Sequence, residues 1–202
     1  MNFALITPPA EEPITLGEGK LYCRVTGSAE DTLVTAMIRA ARIGCENLAR
    51  MSFLTQTRRQ EMRAPTGRLS TRPADADDPD EILNGVRLVN GPAASIASIY
   101  GVHGDGTLQT IATEHVELDI PTSIIRWKPT FWEALNGAPT IRVTYQAGRT
   151  KEEFALHHPD IIDCILMLTE HKYTNRGVAG TVIPQAVKTA LMPYWSSTTY
   201  VP

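Results

Sequence analysis

Hydrophobic residues recur every three or four positions near both ends of the chain and every second position between them. The strongest helical period begins at Asp31. Leu33, Met37, Ala41, Cys45 and Leu48 form an apolar stripe that Val34, Ile38 and Met51 widen, and Arg39, Arg42, Glu46 and Arg50 fall mainly on the other side. From Thr55 the period changes to two. Val116, Leu118 and Ile120 alternate with Glu117 and Asp119, and Ile141, Val143 and Tyr145 alternate with Arg142, Thr144 and Gln146. Both segments read as half-buried strands. "VRLV" and "SIIRW" are further strands, and "SIASIYGVHGDGTLQTI" reads as a hairpin turning at its glycines. Helical spacing returns at Pro159, where Ile161, Ile162, Ile165, Leu166 and Leu168 make the most apolar helix of the chain.

Helix signals sharpen these boundaries. Thr15 and Glu18 form a T-x-x-E capping box for a short helix that Gly17 and Gly19 weaken, and Ser28 with Asp31 repeats the pattern. Pro159 suits the first position of a helix, and Pro184 opens a last short one, "PQAVKTALM". "TPPAEEP" is an extended leader, because proline excludes the helix for itself and disfavours it for the residue before. "PTGRLSTRPADADDP", residues 65–79, has neither period and reads as a loop.

These elements predict an α+β protein: a bundle of about four helices, two at each end of the chain, with a small antiparallel β domain inserted. The boundaries read as 1–54 for the leader and two core helices, 55–147 for the β insertion, 148–192 for the C-terminal helices and 193–202 for a tail. The long helix then runs into a strand without a linker because it ends where the insertion begins.

Composition narrows the function. With 43% hydrophobic and 20% charged residues in 202, a buried core is expected, whereas a formal charge of -3 disfavours tight binding to the DNA backbone. Cys23, Cys45 and Cys164 are odd in number and form no C-x-x-C pair, so buried free thiols in a reducing compartment are expected. The N-terminus has no signal-peptide pattern, and "IIDCILML" is too short to span a bilayer, so no membrane partner is expected.

Candidate chemistry is sparse. The glycines of "GVHGDG" lead into a strand, whereas phosphate loops lead into a helix N-terminus. Pro79 interrupts "DADDPDE" where a calcium loop needs alternating oxygens, a glycine and a distant glutamate, and His157–His158 and Glu170–His171 lack zinc spacing; helix-end histidines beside the dipole are favoured. "RRQEMR" from Arg58 suits an exposed or edge strand better than a nucleic-acid contact. No catalytic, cofactor or metal site is expected. The tail residues Tyr194, Trp195 and Tyr200 lie beyond the last core element; they either pack back on their own domain or anchor a partner.

The order of several phrases resembles the head–tail connector (adaptor) proteins of tailed bacteriophages, in the subgroup with a β insertion also found in gene transfer agents. A Pro-Pro leader precedes Thr15, Leu16, Glu18 and Lys20, with Gly19 where the family has alanine. Ala40, Ala41, Arg42 and Glu46 are followed by Thr55, Gln56 and Thr57, and the late helix ends in Tyr173, Asn175 and Arg176. The resemblance implies a non-enzymatic virion protein of the neck, made in the host cytoplasm. It implies a homo-oligomeric ring, typically a dodecamer, that binds the portal protein above and the next neck or tail-completion protein below. DNA would pass through its channel without sequence-specific binding. Tyr194, Trp195 and Tyr200 become portal-docking candidates. The alternatives are another neck protein, such as a stopper or terminator, a small DNA-packaging accessory protein, and an enzyme whose site is hidden in the sequence.

Overall fold

A computed structural model describes residues 2–64, 85–176 and 182–196. In chain order the elements are β1 (Asn2–Thr7), α1 (Leu16–Cys23), α2 (Asp31–Ala49), β2 (Gln56–Arg63), β3 (Gly85–Arg87), β4 (Ala93–Val102), β5 (Leu108–Ile111), β6 (Val116–Asp119), β7 (Ile124–Trp127), α3 (Thr130–Leu135), β8 (Thr140–Ala147), α4 (Lys151–His157), α5 (Pro159–Thr174) and α6 (Gln185–Ser196). The described residues divide into two units, one formed by 2–8 and 56–148, the other by 9–55 and 149–196. The α+β class is as expected. The count of about four helices, two at each end, is not: there are six among the described residues, and α3 lies inside the β-rich unit.

In the β-rich unit a five-stranded antiparallel sheet has the order β1-β2-β8-β4-β5, and a three-stranded one has the order β3-β7-β6. Both contribute to one core, with Ile99, Ile111, Ile125, Phe131, Ile141 and Val143 buried. Alternation along β8 produces this: Ile141, Val143 and Tyr145 point inward, between half-exposed Arg142 and Thr144. β2 corrects the expectation of an exposed or edge strand at "RRQEMR". It lies between β1 and β8, and its inward face carries Gln56, Arg58, Gln60 and Met62.

Polar side chains on that inward face act as backbone partners. Gln60 accepts a hydrogen bond from Val89 N (2.9 Å) and donates to Arg87 O (3.1 Å), and the Tyr145 hydroxyl donates to Val89 O (2.5 Å). They satisfy the chain leaving β3, which would otherwise bury unpaired amide groups.

The other unit is helical. Val34, Ile38 and Cys45 of α2 pack with Ile161, Ile165 and Leu168 of α5, and Phe53 stacks on Phe154 of α4 at 5.1 Å. Gly19 is the close-approach point of α1, since a Cβ there would lie 2.7 Å from Ile38 Cδ1. The face that α2 buries differs from the expected one. Val34, Ile38, Ala41, Cys45 and Ala49 are buried together with Arg42 and Glu46, whereas Leu33 is exposed and Met37 and Leu48 are only partly covered.

The start of α2 is a second correction. Its N-cap residue is Glu30, with no side-chain cap, so Ser28 and Asp31 make no capping box; Asp31 N donates to Ser28 O instead. The Thr15–Glu18 box is present, and a further one at Thr150 and Glu153 starts α4. All three cysteines are free thiols, and burial pushes Cys45 up to about 12 and Cys164 up to about 11. Both stay protonated at neutral pH and are expected to resist alkylation in the folded protein.

Candidate partner interface

Several of the residues that carried the resemblance form joints of the helical unit. Lys20 reaches from α1 to Gly27 O and to Asp31 Oδ1 (2.5 Å) at the start of α2. Arg42 is 1% exposed; it donates to Glu46 Oε2 at 2.8 Å and to Glu12 Oε2 of the leader at 2.6 Å. Glu46, 4% exposed, also accepts from Phe53 N at 2.9 Å, so one buried ion pair fixes both the leader and the exit from α2. Thr55 then donates through N (2.9 Å) and Oγ1 (3.0 Å) to Arg149 O, beside the bridge between Leu54 and Arg149.

The third joint lies at the end of α5. The Tyr173 hydroxyl and Arg176 Nη1 both donate to the Glu30 carboxylate, the latter at 2.6 Å, and the Arg176 guanidinium sits 4.4 Å from the Tyr173 ring centroid. Asn175 Nδ2 donates to His171 O at 2.9 Å and closes the helix end. Hydrogen bonds from Tyr173 and then Arg176 hold the Glu30 carboxyl below its ordinary value of 4.5.

These contacts set an acid response. A depressed carboxyl pKa stabilises the fold fully above the unfolded value, and that contribution is lost as pH falls through the folded one. Burial also holds His158 below 6.5, with Arg149 adding to the effect, so charging it opposes folding as pH drops below 6.5. Thermal unfolding of the helical unit is therefore expected to weaken in two stages, first below 6.5 and then below 4.5. Glu18, lowered by its Thr15 hydrogen bonds, contributes to the second stage as well, so Glu30→Gln should reduce that stage and leave the first; an unchanged second stage would remove the joint from the explanation.

Tyr194 is not in an extended tail. Helix α6 continues through Pro193 to Ser196, which corrects the expected tail boundary at 193. The Tyr194 hydroxyl donates to Asp160 Oδ2 at 2.7 Å, and its ring meets His158 edge-on at 5.6 Å. Trp195 follows within the same helix. Tyr200 lies outside the described residues, as do the acidic segment "DADDPDE" and Gly177, the expected stop of α5.

The other candidates take structural places. "HGDGT" is the β4–β5 hairpin turn: His103 N donates to Thr107 O, Thr107 N donates to Asp105 Oδ1, and Gly106 has φ +87. His158 stands at the junction of two helices, closing α4 and opening α5, and is buried between Phe154 and Tyr194; His157 and His171 lie in the last turns of α4 and α5. Among the described residues, no group of three or more His, Cys, Asp or Glu is placed to hold a metal, and no helix is long and apolar enough to cross a membrane.

Sequence reasoning missed two surfaces that carry apolar side chains in solvent. β1 is an edge strand of uncharged residues with Phe3, Leu5 and Ile6 exposed. On the helical unit, Leu21 of α1 is 81% exposed, and Leu33 and Ile43 of α2 are also open. The signal at β1 was present as "NFALIT", which has strand composition ahead of its two prolines.

The fold is similar to that of chains in solved gene transfer agent (GTA) particles. A chain in the virion of a native GTA particle superposes with a TM-score of 0.67 at 17% identity, covering 96% of this chain and 95% of that one. A chain in the neck of an empty GTA particle, computed with C6 symmetry, gives 0.64 at 16% identity, with 96% and 95% covered. One in the neck of a native GTA particle, computed with C12 symmetry, gives 0.63 at 15%, with 96% and 94% covered. No protein-family model matches the chain, and no curated protein matches it in sequence.

Proposed function

We propose that this protein is a structural subunit of the neck of a tailed phage or phage-like particle: an adaptor of the β-insertion subgroup that forms a ring below the portal. It joins head to tail and extends the DNA channel. The observation that carries the reading is that the likeness to GTA chains spans 96% of this chain and 95% of the other, so both units are matched. The C12 symmetry of one neck reconstruction supports twelve copies in the ring. A net charge of -3 suits a conduit that does not hold the DNA it passes. The reading needs no catalytic residue and no cofactor.

Portal docking is assigned to the C-terminal end and its aromatics Tyr194, Trp195 and Tyr200, with the Tyr194 hydroxyl also tying α6 to Asp160 of α5. Truncation after Ser196 removes Tyr200 without cutting α6, and it is expected to lower the amount of the chain on heads; unchanged occupancy would refute this role. The reading as a whole is tested by electron microscopy of lysates from particles lacking the gene. Full heads beside free, finished tails are the expected result. Normal tailed particles would contradict it and favour a packaging accessory role instead.

A further inference from the structure

The outward face of α2 lacks the charges of an ordinary solvent face. Leu33, Ala36, Ala40 and Ile43 are all exposed, and at 3.6 residues per turn they fall within about 80° of arc. Arg39 is the one charged residue among the exposed positions of this helix. A stable helix that ends its burial there would be expected to carry lysines and glutamates. Ala36 and Ala40 between the two larger side chains leave a shallow groove, in which another helix can approach closely.

The same unit carries a second exposed apolar face. On α1, Gly19 faces Ile38 of α2, and Leu21 stands two residues further, about 200° around the helix. Leu21 therefore points away from α2 of its own chain, and with Tyr22, 40% exposed, it makes an apolar knob. A groove and a knob on different elements of one unit are what a head-to-tail contact between identical copies requires, and such contacts close into rings when the rotation permits. Nucleic acid does not fit the groove, because it offers no cluster of positive charge. The exposed edges carry opposite charges: Arg39 borders the groove, and Glu18, whose carboxylate accepts from Thr15 in the α1 capping box, lies one helical turn from Leu21.

We propose that the α2 groove lined by Leu33, Ala36, Ala40 and Ile43 receives the α1 face carrying Leu21 from a second copy of this chain, forming the seam between neighbours in the ring. This rests on the neck reading above. The test restores gene-deleted particles with variant chains and measures the copies of the chain retained per purified particle. Ala40→Glu is tolerated in an exposed helix and is expected to leave the unfolding temperature unchanged. It should nevertheless reduce incorporation at least tenfold, as should Leu21→Lys. Combining the two puts opposite charges across every seam and is expected to recover most of the loss. Ala155→Glu, on the exposed side of α4, serves as the control and should incorporate normally. Normal incorporation of Ala40→Glu, or no recovery in the double variant, overturns the seam while leaving the neck reading intact. Absence of the unaltered chain from purified particles overturns the neck reading, and the seam with it.

Discussion

Arg42→Met is expected to destabilise the helical unit by about 3–5 kcal/mol, the range for removing one partner of a buried ion pair. The guanidinium is 1% exposed and Glu46 4% exposed, so water does not replace the lost partner. Methionine fills much of the volume but removes the Arg42 guanidinium from the buried Glu46 carboxylate and releases Glu12 of the leader. Because a buried carboxylate that has lost a neighbouring cation takes up a proton more readily, the loss should shrink as pH is lowered. Glu46→Gln should cost less, since its amide oxygen can still accept from Phe53 N. Chemical denaturation followed by far-UV circular dichroism measures both, and a loss under about 1 kcal/mol for Arg42→Met would show that the pair is dispensable.

Phe131→Ala should have an effect of the same size in the β-rich unit, about 3–5 kcal/mol. Phe131 is fully buried, stacks on Trp127 at 4.3 Å and meets Trp132 edge-on at 5.5 Å. Helix α3 has six residues and buries only Phe131 and Leu135, so it depends on this ring for its place. Truncation removes the transfer energy and leaves a cavity between β7 and α3, and the two tryptophans report it directly through a change in fluorescence. A variant with native fluorescence and a loss below about 1 kcal/mol would contradict this packing.

How far these features could be read in the sequence depended on what enforces them. Helices α2 and α5 were legible because a long apolar face must repeat at the helical period, and β8 was legible because one of its faces is buried. Arg42 and Glu46 misled because periodicity treats a charge as solvent-facing. Their spacing of four fits a paired, buried contact equally well, and no local rule distinguishes the two. That error also hid the apolar outer face of α2, since Leu33 was assigned to the core.

β2 escaped for a related reason. Gln56, Arg58 and Gln60 face inward, Gln60 to serve backbone groups at 87 and 89, so its alternation is polar on both faces. Helix α3 is too short to show a period, whereas α4 announced itself through the T-x-x-E at Thr150 and went unnoticed. The expected end of α6 at 192 followed from Pro193, yet proline removes only one helical hydrogen bond and the helix continues past it. The joining phrases at Lys20, Arg42–Glu46 and Tyr173–Arg176 could be seen as a pattern. Their work as clasps depends on partners far away in sequence, Glu12 and Glu30 among them.

The most direct measurement is a reconstruction of the neck of the particle that encodes this chain, without imposed symmetry below the portal. A closed ring under the head vertex, into which the two units dock copy by copy around the DNA channel, is the expected result. A neck whose density is filled by other chains, with this protein absent from the particle, would contradict the assignment.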